Sequence, residues 1–291
     1  MTGTPPAEII LDAAGVRRLL TLQHPDLADL ALAPVGEGWD NTMFRLGESL
    51  AVRLPRRGAA AQLVVNEQTW LPALAPWLPL ATPSPIRLGK PDALYPWRWS
   101  IVPWIEGDAA DLAPPHPREA LRLAAFLQAL HRPAPPTAPV NEVRGTPLQV
   151  RAAAVETRLA RLRTTTKVIT PDVDAAWRAA LAAPVSTQTR WLHGDLHPRN
   201  VVTRDGALAA IIDWGDVTSG DIATDLAAFW MLFEDPYIRA EALVRAGASP
   251  ADIARARGWA VVFGAVLLDT GLVDNPRHAA IGAGTLARVA T

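Results

Sequence analysis

His193-Gly194-Asp195-Leu196-His197-Pro198-Arg199-Asn200, followed by Ile211-Ile212-Asp213-Trp214-Gly215, is the stretch on which the reading of this chain turns. Trp191-Leu192 before it and Ala209 to Ile212 within it read as short strands, arranged around an Asp205-Gly206 turn. Asp195 and Asn200 stand five positions apart in a polar, proline-containing loop, and Asp213 sits at the next strand end. One carboxylate can hold a hydroxyl and take its proton, while a second carboxylate and an amide oxygen are hard donors of the kind Mg²⁺ prefers. Asp and Asn also favour turns for local reasons, and a lone D-x-x-x-x-N would deserve only that reading. The complete constellation, with strand patterning on both sides, makes chance a minor alternative.

Kinases meet the needs of phosphoryl transfer with an H-x-D-L-x-x-x-N loop and then a D-F-G-like turn. By that pattern Asp195 is the expected catalytic base and Asn200 and Asp213 the expected Mg²⁺ ligands. H-G-D-L-H-P-x-N followed by I-D-W-G resembles, more specifically, the aminoglycoside phosphotransferase family, with its relatives acting on macrolides, choline and other small alcohols. That family carries glycine where protein kinases carry arginine, as Gly194 does here, and nothing after Gly215 resembles an activation segment ending in A-P-E. The resemblance also reaches Gly220-Asp221-Ile222-Ala223-Thr224-Asp225-Leu226-Ala227, where it implies that Asp225 braces the catalytic loop. His193 is expected to pack that loop, and His197 is read the same way.

The resemblance implies an α+β chain with a bilobal, protein-kinase-like fold. Residues 1–103 form the expected strand-rich nucleotide-binding lobe, and residues 104–291 the helical lobe with the catalytic loop and acceptor site. The implied activity is transfer of the γ-phosphate of ATP or GTP, with Mg²⁺, to a hydroxyl of a small molecule. An aminoglycoside-type antibiotic is the first acceptor it suggests. A macrolide, sugar or metabolic amino alcohol is the alternative. A nucleotide-binding module without turnover is a third reading, opposed by the intact Asp195, Asn200 and Asp213.

Outward toward the N-terminus, the nucleotide contacts follow. Gly36, Gly38 and Asn41 fit a turn over the phosphates, because glycine lets backbone N–H groups approach an anion closely. Arg53, on the expected strand Ala51 to Leu54, stands where kinases place a phosphate-pairing lysine, with Glu67 on the next helix as its partner. A surface arginine and a solvated glutamate are the competing reading of that pair. Backbone groups near Val102, Trp104 and Ile105 are expected to meet the base.

Elsewhere Asp12 is the expected cap of a first helix. Thr42 to Leu54 reads as two strands broken at Gly47-Glu48, and Ala59 to Leu78 as a helix that Pro72 and Pro76 shorten. Trp97 to Ile105 has the length of a buried strand. Helices are expected over Arg118 to His131, Pro147 to Arg163 and Asp172 to Ala183, with three or four more beyond Asp221.

Whole-chain properties exclude other classes. The 291 residues hold no cysteine, so disulfides, thiolate metal sites and cysteine nucleophiles are ruled out. A formal net charge of −1 gives no chain-wide attraction to nucleic acid or to an anionic membrane. The first eight residues show no secretory pattern, and no uncharged apolar run reaches membrane-spanning length, so a cytoplasmic setting is the default expectation. The expected partners are a nucleoside triphosphate and a hydroxyl acceptor; nothing in the sequence specifies an oligomeric state. For the acceptor, residues 205–238 hold seven acids and no Lys or Arg, which makes Asp216, Glu234 and Asp235, with Trp230 beside them, the expected acceptor contacts. Against a polycationic acceptor, residues 108–291 balance at 19 acids and 19 bases.

Overall fold

In the computed structural model, which describes residues 5–291, the chain is α+β, with an antiparallel sheet in its N-terminal region and helices in its C-terminal part. Met1 to Thr4, part of the segment read for a secretory pattern, lie outside the described residues.

Helix α1 (Ala13–Gln23) starts where expected: the Asp12 carboxylate accepts the Gly15 N–H at 2.8 Å. Strands β1 (Leu32–Glu37), β2 (Asn41–Leu46) and β3 (Leu50–Pro55) form a meander. Helix α2 (Gly58–Leu74) follows, then β4 (Arg87–Gly89) and β5 (Trp99–Pro103). The strand order is β1-β2-β3-β5-β4, and β3 pairs antiparallel with β5 through Ala51 and Val102. Phe44, Leu46, Val52, Leu54 and Ile101 turn one face of this sheet onto Val16, Leu19 and Leu20 of α1, a small core of its own.

Pro72 does not end α2; it lies inside the helix, which stops two residues later at Leu74. An interior proline costs about 3 kcal/mol. Burial of Val64, Leu71 and Leu74 on one helix face offsets it, since full burial of each such side chain stabilises by about 1.5–3 kcal/mol.

Beyond β6 (Asp108–Ala109), helices α3 (Glu119–Leu130), α4 (Leu148–Thr165) and α5 (Pro171–Ala182) match the expected segments closely. The strands around Asp205-Gly206 differ from the expectation. Strand β7 (Arg190–Leu192) is not part of that hairpin; the hairpin joins β8 (Val201–Arg204) to β9 (Ala207–Ile211). Asp205 and Gly206 both have positive φ there, the condition for a tight two-residue turn. Strand β7 pairs instead with β10 (Thr218–Gly220).

Five helices follow rather than three or four: α6 (Ala223–Leu226), α7 (Ala228–Leu232), α8 (Pro236–Arg245), α9 (Pro250–Asp274) and α10 (Pro276–Val289). The first two are single turns, too short to leave a periodic signal. By length and composition α9 alone among the described helices is long and apolar enough to cross a membrane, yet 72% of its apolar window is buried inside the fold. It is the central helix of the larger core, with Trp259, Val262 and Leu268 packed among α5, α6 and α10.

Candidate active site

A cleft of about 760 Å³ separates the N-terminal sheet from the hairpin and helices, and Asp195, Asn200, Asp213, Arg53 and Glu67 all line it. The loop after β7 is held from below. Asp225, fully buried, accepts the N–H groups of His193 and Gly194 at 2.8 and 2.9 Å. His193 packs edge-on against Trp214 and places Nε2 3.0 Å from the Ile212 carbonyl oxygen. Gly194 adopts φ 87°, and a Cβ there would come within 2.4 Å of the Asp216 carbonyl oxygen, so only glycine fits. With both flanks fixed, Asp195 faces the cleft.

The Asp195 carboxylate is already partnered. Arg144 Nη2 donates to Oδ1 at 2.8 Å, and His197 Nε2 lies 3.4 Å from Oδ2. Burial by itself would raise this carboxyl, but the Arg144 guanidinium and His197 outweigh it and hold Asp195 well below the usual carboxylate range. Asn200 Nδ2 donates to the Asp195 carbonyl oxygen at 2.9 Å, which closes the loop on itself.

Asp213 follows β9 in a left-handed backbone conformation, φ 60°. Asp tolerates this region better than most residues. Arg53, buried on β3, donates to both Asp213 Oδ1 and Glu67 Oε2, so one guanidinium ties strand, helix and loop together. The bland reading of Arg53 and Glu67 is therefore set aside: neither is a surface group, and they meet. Burial pushes Glu67 up to about 7 even though Arg53 beside it pulls the other way.

The glycine-containing turn is tight. Gly38 N–H donates to the Asn41 carbonyl oxygen at 2.8 Å, and Arg56 donates to the Gly38 carbonyl oxygen. Gly38 and Asn41 line the cleft, whereas Gly36, at a bulge in β1, does not. With its amide oriented to satisfy both groups, Asn41 accepts from Arg53 Nε and Nη2 at 3.2 and 3.0 Å. Val102, Trp104 and Ile105 line the far end. There Pro103 has no N–H, and the Trp104 N–H is committed to the Ser49 carbonyl oxygen at 2.8 Å.

Among the described residues no cluster of three or more acidic or histidine side chains gathers around a point. Mg²⁺ does not require one, because it commonly takes one or two protein oxygens and fills its octahedron with phosphate and water. Asp213 keeps Oδ2 beside the oxygen given to Arg53, and the fixed Asn200 amide keeps its carbonyl oxygen. The two residues fit such an ion.

The expected acceptor set divides. Asp216 lines the cleft, accepts from Asn141 Nδ2 at 2.8 Å, and is pushed up to about 6 by burial and by the charge of Asp195. Trp230, Glu234 and Asp235 are not brought there. Trp230 is buried in the helical core, Asp235 caps α8 by accepting from Tyr237 N–H, and Glu234 is largely exposed near Arg288. The base-free composition of that segment thus reflects helix capping and core packing more than a ligand wall.

Arg144, Asn141 and His278 were missed in the sequence. Arg144 and Asn141 come from the loop before α4 and His278 from the first turn of α10, and no fixed spacing links them to the motifs. Arg199 Nη1 contacts His278 Nε2 at 2.6 Å, and His278 is held down to about 4 by burial and by Arg199.

Known proteins supply the remaining context. No curated protein matches the sequence significantly. Among solved structures, the GDP complex of wild-type aminoglycoside 2'-phosphotransferase-IIIa is 18% identical, with TM-score 0.71, over 96% of this chain and 99% of that one. The apoenzyme of macrolide 2'-phosphotransferase MphH from Brachybacterium faecium is 22% identical, with TM-score 0.62, over 94% and 97%. The ADP-bound aminoglycoside phosphotransferase APH(2'')-Ib is 16% identical, with TM-score 0.60, over 96% and 98%. These likenesses establish the kinase-like fold. The sequence model of the phosphotransferase enzyme family (APH) matches residues 31–259, most of the chain, and the chain therefore belongs to that family.

Proposed function

We propose that this enzyme transfers the γ-phosphate of ATP or GTP to a hydroxyl of a small molecule, in the cleft between two lobes that meet at Pro103 and Trp104. One observation carries the reading: Arg53 gathers Glu67 and Asp213 in the same cleft that Asp195 lines. Asp195 accepts a hydrogen bond from the acceptor hydroxyl and takes its proton as the oxygen attacks. A strongly depressed carboxyl suits a loose phosphoryl-transfer transition state, where orientation matters more than basicity. Arg53 orients a phosphate oxygen and is held for that task by Glu67 and Asn41. Asp213 and Asn200 would hold Mg²⁺, which when bound would neutralise charge on the phosphates. The backbone of the Gly38–Asn41 turn covers the triphosphate, and the Val102–Ile105 segment receives the base.

The family resemblance puts an aminoglycoside-type acceptor first. The geometry supports the alternative better, a less charged hydroxyl compound such as a sugar. All five carboxylates lining the cleft already have partners: Asp40 with Arg57, Glu67 and Asp213 with Arg53, Asp195 with Arg144, and Asp216 with Asn141.

The test is incubation with Mg²⁺ and ATP or GTP against a panel of hydroxyl compounds, read by mass spectrometry. The expected result is an acceptor that gains one phosphate as nucleoside diphosphate forms. Failure of every acceptor, with diphosphate release equal in the wild type and Asp195→Ala, overturns the proposal.

A further inference from the structure

One short loop grips both carboxylates at the acceptor end. Asn141 donates to Asp216 and Arg144 donates to Asp195, each at 2.8 Å. The loop is itself built in. Asn141 Oδ1 accepts from the N–H groups of Val143 and Arg144, which folds residues 141–144 into a turn. Gly145 donates to Thr224 Oγ1 at 3.1 Å and accepts the Asp221 N–H at 2.9 Å. It has φ 68°, and a Cβ at this position would meet Leu192 Cδ1 at 2.8 Å, so the turn tolerates little but glycine. The Arg144 guanidinium also lies 4.8 Å over the Phe263 ring, a cation–π contact that fixes its other face.

We propose that Arg144 determines acceptor charge: by occupying the carboxylate of Asp195 it makes the site select a hydroxyl flanked by neutral or anionic groups and reject one flanked by ammonium groups. The inference deepens the reading of the cleft as a small-molecule kinase site and rests on it. An ammonium beside the reacting hydroxyl would lie within a few ångströms of a fixed guanidinium. Like charges so placed in a partly dehydrated cleft are a strong element of discrimination. A carboxylate or a neutral hydroxyl meets a hydrogen-bond donor there instead.

Kanamycin, a polycation, is the probe, titrated calorimetrically into the full-length protein saturated with Mg²⁺ and a non-hydrolysable nucleotide. Binding needs no turnover, so this result stands apart from the fate of the proposed reaction. The wild type and Arg144→Lys, which keeps the charge, are expected to bind kanamycin weakly. Arg144→Gln, which frees Asp195 for an ammonium, should bind it about tenfold more tightly or better, and the gain should shrink as salt rises. Melting curves and nucleotide affinity that match the wild type show that each variant is folded. Arg144→Ala, tested alongside, should reproduce the gain. Wild-type binding as tight as that of Arg144→Gln overturns the inference, and so does a folded Gln or Ala variant that gains nothing.

Discussion

The two ends of the cleft are built differently. At the end proposed to take the nucleotide the charged groups sit on regular elements, Arg53 on β3 and Glu67 on α2, and they meet in a buried ion pair. At the end proposed to take the acceptor the equivalent pairing, Arg144 with Asp195, joins two loops and stays partly open to solvent. The first arrangement is rigid because removing either partner strands a buried charge. The second depends on the 141–145 loop and can change with little cost to the core. On the proposed function, this division puts the phosphate contacts on regular elements and leaves the acceptor contacts to loops.

The largest expected effect separates the ends by function. Asp195→Ala should lower kcat by about two to four orders of magnitude, the range for losing a positioned general base. Steady-state kinetics with the acceptor found by screening measures it, and near-wild-type turnover would remove Asp195 from the mechanism.

Next comes Asp213→Asn, which removes an anionic oxygen from the nucleotide end. Mg²⁺-nucleotide affinity should fall about ten- to a hundredfold, as a lost charge-assisted contact of roughly 1.5–3 kcal/mol implies. Thermal stabilisation by a non-hydrolysable nucleotide, with and without Mg²⁺, reads this. An unchanged shift means Asp213 holds no metal.

The cleft wall also carries an acid-sensitive group, His278. The folded-state value of His278 lies near 4, below the ordinary 6.5, so the native state binds fewer protons than the unfolded chain between these values. Stability from this group is present above pH 6.5 and is lost as pH falls toward 4, by up to about 3 kcal/mol. His278→Gln should flatten the fall in melting temperature across that window. Parallel curves for the two proteins would show that His278 does not supply it.

The smallest effect tests the rigidity of the nucleotide end. Arg53→Ala and Glu67→Ala should be non-additive in stability and in nucleotide KM, with a coupling of roughly 0.5–3 kcal/mol. Strict additivity would mean the buried contact does not operate in solution.

The sequence showed one end of the cleft far better than the other, for a physical reason. Asp195, Asn200 and Asp213 sit in one local loop-and-hairpin unit whose spacing is set by covalent geometry, so the pattern survives in the sequence. Arg53 and Glu67, on a strand and the helix after it, were read only through the kinase pattern, beside a competing surface reading that their burial removes. Arg144 reaches Asp195 from 51 positions away, and Asn141 reaches Asp216 from 75, through loops whose conformation depends on Gly145 packing against Gly220 and Leu192. No periodicity encodes such contacts. Trp230, Glu234 and Asp235 misled for the converse reason, since acids and aromatics near a site in sequence can serve caps and core instead. In the fold, the strand Val201–Arg204 escaped notice because it follows the motif loop directly, and it moved the hairpin partner from β7 to β8.

Equilibrium binding of a non-hydrolysable Mg²⁺-nucleotide to Asp195→Ala and Arg53→Ala, measured side by side with the wild type, tests the division of labour most directly. Asp195→Ala should bind the nucleotide within about twofold of the wild type, and Arg53→Ala about tenfold or more weakly. Equal losses in both variants, or a loss confined to Asp195→Ala, would contradict the account.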